Sequence, residues 1–291
     1  FSRCRFKTMP VSGPFTFLVI SDSHAQEKRF KFVADAIAQN ETDPLFILDG
    51  GDYASHDEEA LWTTYFQYGE GMLAKFPIFH AIGNHEYHQP DSTGLNMPTD
   101  AAQYHDTFKI LPGGALNYYF DCSGIRFVFL NSPDPNNSDG FDPQTSLPLA
   151  KSQAPWLKDQ LDNTLAGTFT IQHHPIWNYG KSTLNPDLQP WETLFQDLNI
   201  SANFSGHAHN YQRYSVEGIP YFVVGNAGGV FTNLDEGAPH AASYRYGATR
   251  QLGYLKVTVD PANNTATAQE IFIAWVERTT MRTPYSIFTL S

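Results

Sequence analysis

The chain has 291 residues, of which 41 % are hydrophobic and 16 % are charged. This apolar content excludes a disordered chain, and the low charged fraction favours a secreted or periplasmic protein. The formal net charge of −12 argues against double-stranded nucleic acid as a partner, because proteins that bind it present a basic surface to the phosphates.

We expect a single domain over residues 1–291, because no stretch has the composition of a linker. No segment approaches the roughly 20 apolar residues of a transmembrane helix. The first residue is Phe1 rather than methionine, which suggests a processed or trimmed N-terminus. Cys4 and Cys122 are the only cysteines, and they form either one disulfide or two buried thiols. The oligomeric state is open.

The first third of the chain alternates apolar runs with segments of helical spacing. Each apolar run is short, is rich in Ile, Val and Phe, and ends at a polar cluster, which is typical of a buried strand. In chain order the elements are FTFLVI before SDSH, a helix over 27–40, PLFILDG before GDYAS, a helix over 57–73, and FPIFHAIG before NHE. The helical faces that we expect to be buried carry Phe30, Val33, Ala34 and Ile37 in the first helix, and Leu61, Tyr65 and Phe66 in the second.

The same alternation returns in the second half and then stops. The elements are a helix over 154–165, GTFTI before QHHP, a helix over 188–199, and ISANFSG before HAH. Strands alternating with helices predict a mostly parallel sheet. The tail contains four further apolar runs without helices between them, which predict a second, mixed or antiparallel sheet packed on the first. These runs are GIPYFVVGNAGG, YLKVTV, TATAQEIFIAWV and YSIFTL.

The five polar clusters carry the side chains with chemistry. In open α/β sheets, ligands bind at the carboxyl ends of the strands, and all five clusters fall there. Oxygen ligands mixed with imidazole nitrogens suit Mn, Fe or Zn, and the number of ligands exceeds the need of one ion. We therefore predict two divalent or mixed-valence ions roughly 3.5–4 Å apart. The candidate residues are Asp22, His24, Asp52, Asn84, His85, His173, His174, His207 and His209.

The motifs DSH, GD, GNHE, HHP and GHAH, in this order over residues 22–209, resemble those of the calcineurin-like metallophosphoesterase superfamily. The surroundings FSGHAHNYQRY and QHHPIWN are similar to its purple-acid-phosphatase-like branch. The resemblance implies an α/β (α+β) fold, a four-layer αββα sandwich in which two mixed β-sheets pack face to face with helices outside.

The resemblance also implies a ligand for each metal position. Asp22, His24 and His209 would hold the first ion, and Asp52 would bridge both ions. The second ion would be completed by Asn84, His173 and His207. His174 becomes a packing or pocket-wall residue, because the family motif is His-x-Pro and His173 stands at its first position.

The sequence departs from the purple enzymes at two positions. Where their second motif carries a metal-binding tyrosine, this chain has Ser55, and where their first motif usually lacks a histidine, it has His24. An imidazole in place of a phenolate gives no reason for a purple ferric site and favours divalent ions. Tyr53 is nearby at the wrong offset, so we interpret it as a pocket residue that contacts substrate.

These features predict a metal-dependent phosphoric ester hydrolase acting on a small phosphate ester. A metal-bridging hydroxide would attack phosphorus in line. By resemblance, His85 faces the substrate as general acid and Glu86 orients its ring, the alternative for His85 being a third ligand or a structural contact. Further substrate contacts are predicted at His88, Asn178 and Arg213, although Arg213 could equally form a structural contact.

A phosphomonoesterase is the first reading of these motifs. A phosphodiesterase acting on nucleotide or phospholipid-headgroup diesters shares every motif, and a non-catalytic metal-binding module would keep the fold. Serine hydrolase chemistry is disfavoured because the G-x-S-x-G motif is absent. The GNAGG segment (225–229) lacks the spacing and the lysine of a P-loop, so we expect a tight turn near the site.

Overall fold

The computed structural model describes residues 6–25, 28–90, 96–98, 101–108, 116–133, 146–163, 165–178, 186–234, 244–273, 280–282 and 286–290. The helices are α1 (Arg29–Asn40), α2 (Glu59–Leu73), α3 (Ala102–Thr107), α4 (Ser146–Leu161) and α5 (Gln189–Asp197). The strands are β1 (Phe15–Ile20), β2 (Ile47–Asp49), β3 (Ile78–His80), β4 (His88–Pro90), β5 (Asn96–Pro98), β6 (Tyr118–Cys122), β7 (Ile125–Phe129), β8 (Gly167–Ile171), β9 (Ala202–Ser205), β10 (Tyr211–Val216), β11 (Ile219–Val224), β12 (Tyr244–Ala248), β13 (Leu252–Asp260), β14 (Thr265–Ile273), β15 (Thr280–Arg282) and β16 (Ser286–Thr289).

Two seven-stranded sheets contain most of these strands. The first sheet has the order β15-β14-β13-β1-β2-β3, with β16 also paired to β14. The second sheet has the order β12-β10-β11-β9-β8-β7-β6. Both sheets mix parallel and antiparallel neighbours, since β1, β2 and β3 run parallel while β13 is antiparallel to β1, and β7, β8 and β9 run parallel while β6 is antiparallel to β7. The predicted pair of mixed sheets is confirmed.

The division of strands between the sheets differs from the prediction. The five strands that precede the polar clusters do not form one sheet, because β1, β2 and β3 lie in the first sheet and β8 and β9 in the second. The tail strands β13 and β14 join the first sheet, and β11 joins the second. Alternation and composition identify a strand, but the choice of its partner depends on contacts between segments that are distant in the sequence.

A phenylalanine-rich core fills the space between the two sheets. The ring of Phe17 in β1 stacks on Phe46 at 5.6 Å and meets Phe127 of the second sheet edge-on at 5.2 Å. Phe169 and Phe204 of the second sheet complete this cluster. Burying each such ring stabilises the fold by about 1.5–3 kcal/mol.

The helices cover the outer faces of both sheets, which gives the four-layer αββα sandwich. Helices α1 and α2 bury their apolar side chains in the cluster on the first sheet, and α4 and α5 in the cluster on the second. The predicted buried face of α1 is confirmed. In α2 the buried face carries Trp62, Tyr65 and Met72, whereas Phe66 is 41 % exposed, so its predicted burial is wrong. Helix α4 begins eight residues before the predicted start and contains Pro155.

The layers place the polar clusters at one end of the sandwich. The carboxyl ends of β1, β2 and β3 point the same way, because these strands are parallel neighbours, and the same holds for β8 and β9. Contacts between the sheets join the two ends, since the amide of His207 donates to Asp22 Oδ2 at 2.8 Å. Among the described residues, no helix combines the length and apolar character that crossing a membrane requires.

Candidate metal centre

Four of the predicted ligands lie in a left-handed backbone conformation directly after their strands. The φ angles are 59° for Asp22, 39° for His24, 57° for Asp52 and 65° for His207. Asp and His tolerate this region better than most residues, but each instance still costs roughly 1–3 kcal/mol. The surrounding structure therefore imposes a sharp turn at three strand ends, and each turn directs a ligand-type side chain into the same space.

The first group consists of Asp22, His24, Asp52 and His209. One potential ligand atom from each of these residues lies within 4.8 Å of the others. His24 Nε2 is 3.4 Å from Asp52 Oδ2, and His209 Nε2 is 3.3 Å from Asp22 Oδ1. Within the described part of the chain, Asp22 Oδ1 and His24 Nε2 are buried without a hydrogen-bond partner. Buried polar atoms are seldom left in this state, and a cation would satisfy both, so the residues fit a metal ion.

The second group shares Asp52 with the first. His173 Nε2 lies 3.2 Å from Asp52 Oδ2 and 3.0 Å from Asn84 Oδ1. His207 Nδ1 lies 3.1 Å from the same Asn84 oxygen. Asp52 Oδ2 is thus close to an imidazole of each group, which is the position that a bridging carboxylate requires.

Backbone carbonyls fix the orientation of three imidazoles. The Nδ1 atom of His173 lies 2.8 Å from Gly50 O, that of His209 2.6 Å from Val230 O, and that of His85 2.6 Å from Ser55 O. A carbonyl oxygen only accepts, so each Nδ1 carries the hydrogen and donates it. Each Nε2 then faces the carboxylates and is the nitrogen left to bind a metal ion, as in metal-binding histidines.

The carboxylates and imidazoles perturb one another strongly. Burial raises the pKa of Asp52, but the imidazoles of His173 and His85 outweigh it, and the pKa lies well below its usual range. Burial likewise lowers the pKa of His173, yet Asp52 and Asp22 raise it to about 9. For His24, burial is the stronger influence and its pKa is lowered. Without a metal ion the anionic carboxylates are thus compensated by protons, which a cation would replace.

His85 lies at the mouth of this cluster. Its side chain is 27 % exposed, and Nε2 is 3.9 Å from Asp52 Oδ2. Its ring lies edge-on to that of His24 at a centroid distance of 4.6 Å. Because Ser55 holds Nδ1, the accessible imidazole turns its other nitrogen toward the site.

Glu86 does not occupy the predicted position against the His85 ring. Its Oε2 accepts from the amides of Asp52 and Gly83 at 3.0 and 2.8 Å, and its Oε1 accepts from the amide of Tyr53 at 2.9 Å. The carboxylate therefore ties together the loops that follow β2 and β3. The prediction that Glu86 orients His85 is wrong, because the Ser55 carbonyl performs that task.

Two predicted substrate contacts lie elsewhere. Tyr53 is fully buried and its hydroxyl donates to Ala81 O at 2.5 Å, so it belongs to the core rather than to a binding surface. Arg213 donates to the hydroxyl of Ser286 in β16. Ser286 pairs with Ala268, and the register across β13 places this pair beside Phe17. Phe17 comes before the carboxyl end of β1, where the polar clusters lie. Arg213 therefore joins the two sheets and does not face the site.

The remaining predicted contacts are less defined. Asn178 is half-buried, and its Oδ1 accepts from Gln212 at 2.9 Å, so it stays a prediction as a substrate contact. The side chain of His88 lies outside the described residues, as does Cys4, which leaves the disulfide prediction untested. Cys122 is buried.

Three features near the site were given no metal-binding or catalytic role from the sequence. The ring centroid of His56 lies 6.0 Å from that of His85. The GNAGG segment reaches the metal cluster, since the amide of Gly229 donates to Asp22 O at 2.8 Å. A Cβ on Gly229 would lie 2.8 Å from His209 Nδ1, so only glycine permits this approach. His174, predicted to be a packing or pocket-wall residue, lies in a group with His173 and His207 in which the potential ligand atoms are within 4.8 Å of one another.

Comparisons with known proteins agree with this geometry. The family model described as Calcineurin-like phosphoesterase matches residues 15–211. The chain is 23 % identical over 228 residues to Purple acid phosphatase 22 of Arabidopsis thaliana, covering 72 % of this chain and 47 % of that protein. It is 21 % identical over 243 residues to "Probable inactive purple acid phosphatase 9" of Arabidopsis thaliana, covering 72 % of this chain and 36 % of that protein.

The fold is shared with solved structures over almost the whole chain. Purple acid phosphatase PPD1 from yellow lupin (Lupinus luteus) seeds superposes with a TM-score of 0.74 at 14 % identity, covering 98 % of this chain and 56 % of that chain. The chain thus spans about half or less of the length of the curated relatives it matches.

Proposed function

The chain belongs to the calcineurin-like phosphoesterase family, and from that premise we propose that it is a phosphomonoesterase that works with two metal ions. Family membership indicates metal-dependent hydrolysis of phosphoric esters. The preference for monoesters, the presence of two ions and the roles of individual residues are our proposal. A secreted or periplasmic location also stays a prediction.

Asp22, His24 and His209 would hold one ion, Asn84, His173 and His207 the other, and Asp52 both. The ligand set of carboxylate oxygens, one amide oxygen and imidazole nitrogens suits Mn, Fe or Zn. When bound, two divalent ions supply acidified water and neutralise the charge on the phosphate oxygens. The fit rests on Asp22 Oδ1 and His24 Nε2, which are buried without a hydrogen-bond partner among the described residues.

The observation that carries the catalytic proposal is the position of His85. Hydrolysis breaks the bond between phosphorus and the ester oxygen, forms a bond between phosphorus and the oxygen of water, and needs a proton for the leaving oxygen. His85 is the accessible imidazole beside the carboxylates, with Nδ1 held by Ser55 O and Nε2 turned toward the site. We assign to Nε2 the proton that passes to the leaving group.

One contact near His85 supports the monoester proposal. The imidazole of His56 is close to that of His85, with ring centroids 6.0 Å apart. Two donors beyond the metal positions suit the extra negative charge of a monoester, which a diester lacks. The diesterase remains the second candidate because it needs the same metal ligands.

The test compares hydrolysis of p-nitrophenyl phosphate with that of bis-p-nitrophenyl phosphate. Metal-stripped protein would be reconstituted with Mn, Zn or Fe and assayed from about pH 4.5 to about pH 9. A monoester preference supports the proposal, and a diester preference replaces it with the second candidate. Binding of two ions without any turnover would point to a non-catalytic module. One relative is itself named as a probable inactive phosphatase.

A further inference from the structure

We infer that His174 is a ligand of the second metal position, which would then contain three imidazoles rather than two. The inference rests on the proposed function only in requiring that this position binds a metal ion. The family motif that identifies His173 says nothing of the residue after it, and the inference comes from the packing of His174 in this chain.

The three imidazoles converge. Potential ligand atoms of His173, His174 and His207 all lie within 4.8 Å of one another. The ring centroid of His174 is 4.4 Å from that of His207 and 5.1 Å from that of His173, and the last two are 5.2 Å apart. His174 is as close to each of the two predicted ligands as they are to each other.

Burial argues against a role for His174 in the pocket wall. The residue is 1 % exposed, compared with 0 % for His173 and 27 % for the side chain of His85. A substrate that enters from solvent can reach His85, but it cannot touch a ring that is covered on all sides. A buried imidazole close to two metal-ligand candidates is instead accessible to an ion lying between them.

Ser132 lies against the Nδ1 side of the His174 ring. The Ser132 hydroxyl oxygen accepts the backbone amide of His174 at 2.9 Å and lies 3.1 Å from His174 Nδ1. When Nδ1 donates to this oxygen, Nε2 carries the lone pair. An acceptor on the far nitrogen is what orients metal-binding histidines, and the Ser132 hydroxyl oxygen can serve as that acceptor. We therefore assign Nε2 as the ligand atom.

The added nitrogen would make the two metal positions different. The first position would combine two carboxylates with two imidazoles, and the second would combine Asp52 and Asn84 oxygens with three imidazoles. Nitrogen-rich sites suit Zn, whereas oxygen-rich sites suit Mn. We expect the second position to select Zn over Mn more strongly than the first.

The experiment measures metal binding by the metal-stripped full chain. Isothermal titration with Zn²⁺ would be compared for the wild type, His174→Phe and Ser132→Ala, with His105→Phe as a control that removes a histidine of α3 outside both groups. His174→Phe keeps a ring but no nitrogen, so we expect one equivalent of Zn²⁺ to bind normally and the other to weaken by roughly 10–100-fold. Ser132→Ala should weaken the same equivalent less. Two equivalents bound by His174→Phe with wild-type affinity would overturn the assignment.

A measurement on the wild type covers the case in which His174→Phe does not fold. In the Co²⁺-loaded protein, each coordinated histidine contributes one hyperfine-shifted imidazole N–H signal that exchanges with solvent. Five signals would support His174 as a ligand beside His24, His173, His207 and His209, and four would overturn it. Two bound ions without hydrolysis would contradict only the proposed function. An unchanged Zn²⁺ affinity in His174→Phe would contradict only the assignment of His174 as a ligand.

Discussion

Asp52 Oδ2 and His173 Nε2 lie 3.2 Å apart although their residues follow strands of opposite sheets. The same carboxylate oxygen is 3.4 Å from His24 Nε2, so Asp52 is the side chain common to both groups of ligands. Its position depends on the left-handed turn after β2 and on Glu86, which accepts the Asp52 amide. The two halves of the proposed metal centre are therefore joined through one residue.

Replacing Asp52 should prevent the chain from binding two ions. Asp52→Asn keeps the size of the side chain but removes the charge that compensates the imidazoles, and the amide nitrogen cannot bind a metal ion. We expect at most one ion per chain by elemental analysis after dialysis, and a loss of activity of at least about 10²-fold. Asp35→Asn, which removes an exposed carboxylate paired with Lys31 in α1, is the control. Retention of two ions by Asp52→Asn would contradict a bridging role.

His85→Ala should separate proton donation from metal binding. Good leaving groups such as p-nitrophenolate depart without a proton, whereas alkyl alcohols need one. We expect turnover of alkyl phosphates to fall by roughly 10²–10⁴-fold and that of p-nitrophenyl phosphate to fall far less. Metal content should stay at the wild-type value. Equal losses on both substrates would show that His85 is not the general acid.

Glu86→Gln tests the structural role found for Glu86. The carboxylate accepts three backbone N–H groups through two oxygens, whereas glutamine has one oxygen. Its NH2 group would therefore face either the N–H of Tyr53 or those of Asp52 and Gly83, which would lose their acceptor. We expect the free energy of unfolding to fall by about 1–3 kcal/mol and both ions to bind more weakly, because the Asp52 turn loosens. Glu59→Gln in the first turn of α2 should leave both quantities unchanged. A change in activity alone, with stability and metal affinity intact, would restore the view that Glu86 acts on His85.

The sequence predicts the local features of this site well and the long-range ones poorly. Strand ends and their polar clusters depend on neighbouring residues, and the structure brings all seven predicted ligands together. The sheet partners do not follow from such patterns, since β1 pairs with β13 about 240 residues away. The β6–β7 hairpin was missed, although the Ser123-Gly124 pair in the sequence is a turn signal. In the structure both residues have positive φ, as a tight two-residue turn requires.

The directions of the side chains at the strand ends could not be predicted from the sequence either. Tyr53 follows Asp52 directly, but the turn at Asp52 sends the two side chains to opposite sides, one to the metal cluster and the other into the core. Glu86 meets the Asp52 and Tyr53 amides only because the loops after β2 and β3 are adjacent in the folded sheet. A sequence pattern contains neither contact, which is why both residues were assigned to the substrate side of the site.

Binding of metal to the metal-stripped protein should release protons near neutral pH. Burial lowers the pKa of His173, but Asp52 and Asp22 raise it to about 9, so its ring is protonated at pH 7 and must lose that proton to bind a cation. Calorimetric titrations in buffers with different ionisation enthalpies would count the protons. We expect release at pH 7 and a smaller release near pH 10. An equal count at both pH values would contradict the raised pKa.

His80 should make the fold sensitive to acid independently of the metal centre. Its ring stacks on that of Phe108, with the two ring centroids 3.6 Å apart. Within the described residues, its Nδ1 has no hydrogen-bond partner. Burial lowers its pKa from 6.5 to about 3, so the folded chain favours the neutral ring. The resulting stability is fully present above pH 6.5 and is lost as the pH falls from 6.5 toward 3, by up to about 1.4 kcal/mol per pH unit.

The test is urea unfolding of metal-stripped wild type and His80→Phe between about pH 7 and about pH 4. Phenylalanine preserves the stacking on Phe108 and cannot take up a proton, so the variant should lose less free energy of unfolding across this range than the wild type. His105→Phe, which replaces a less buried histidine of α3, should follow the wild-type curve. Identical pH dependence in the wild type and His80→Phe would mean that the acid sensitivity arises from other groups, and that the buried ring of His80 gains a partner on protonation.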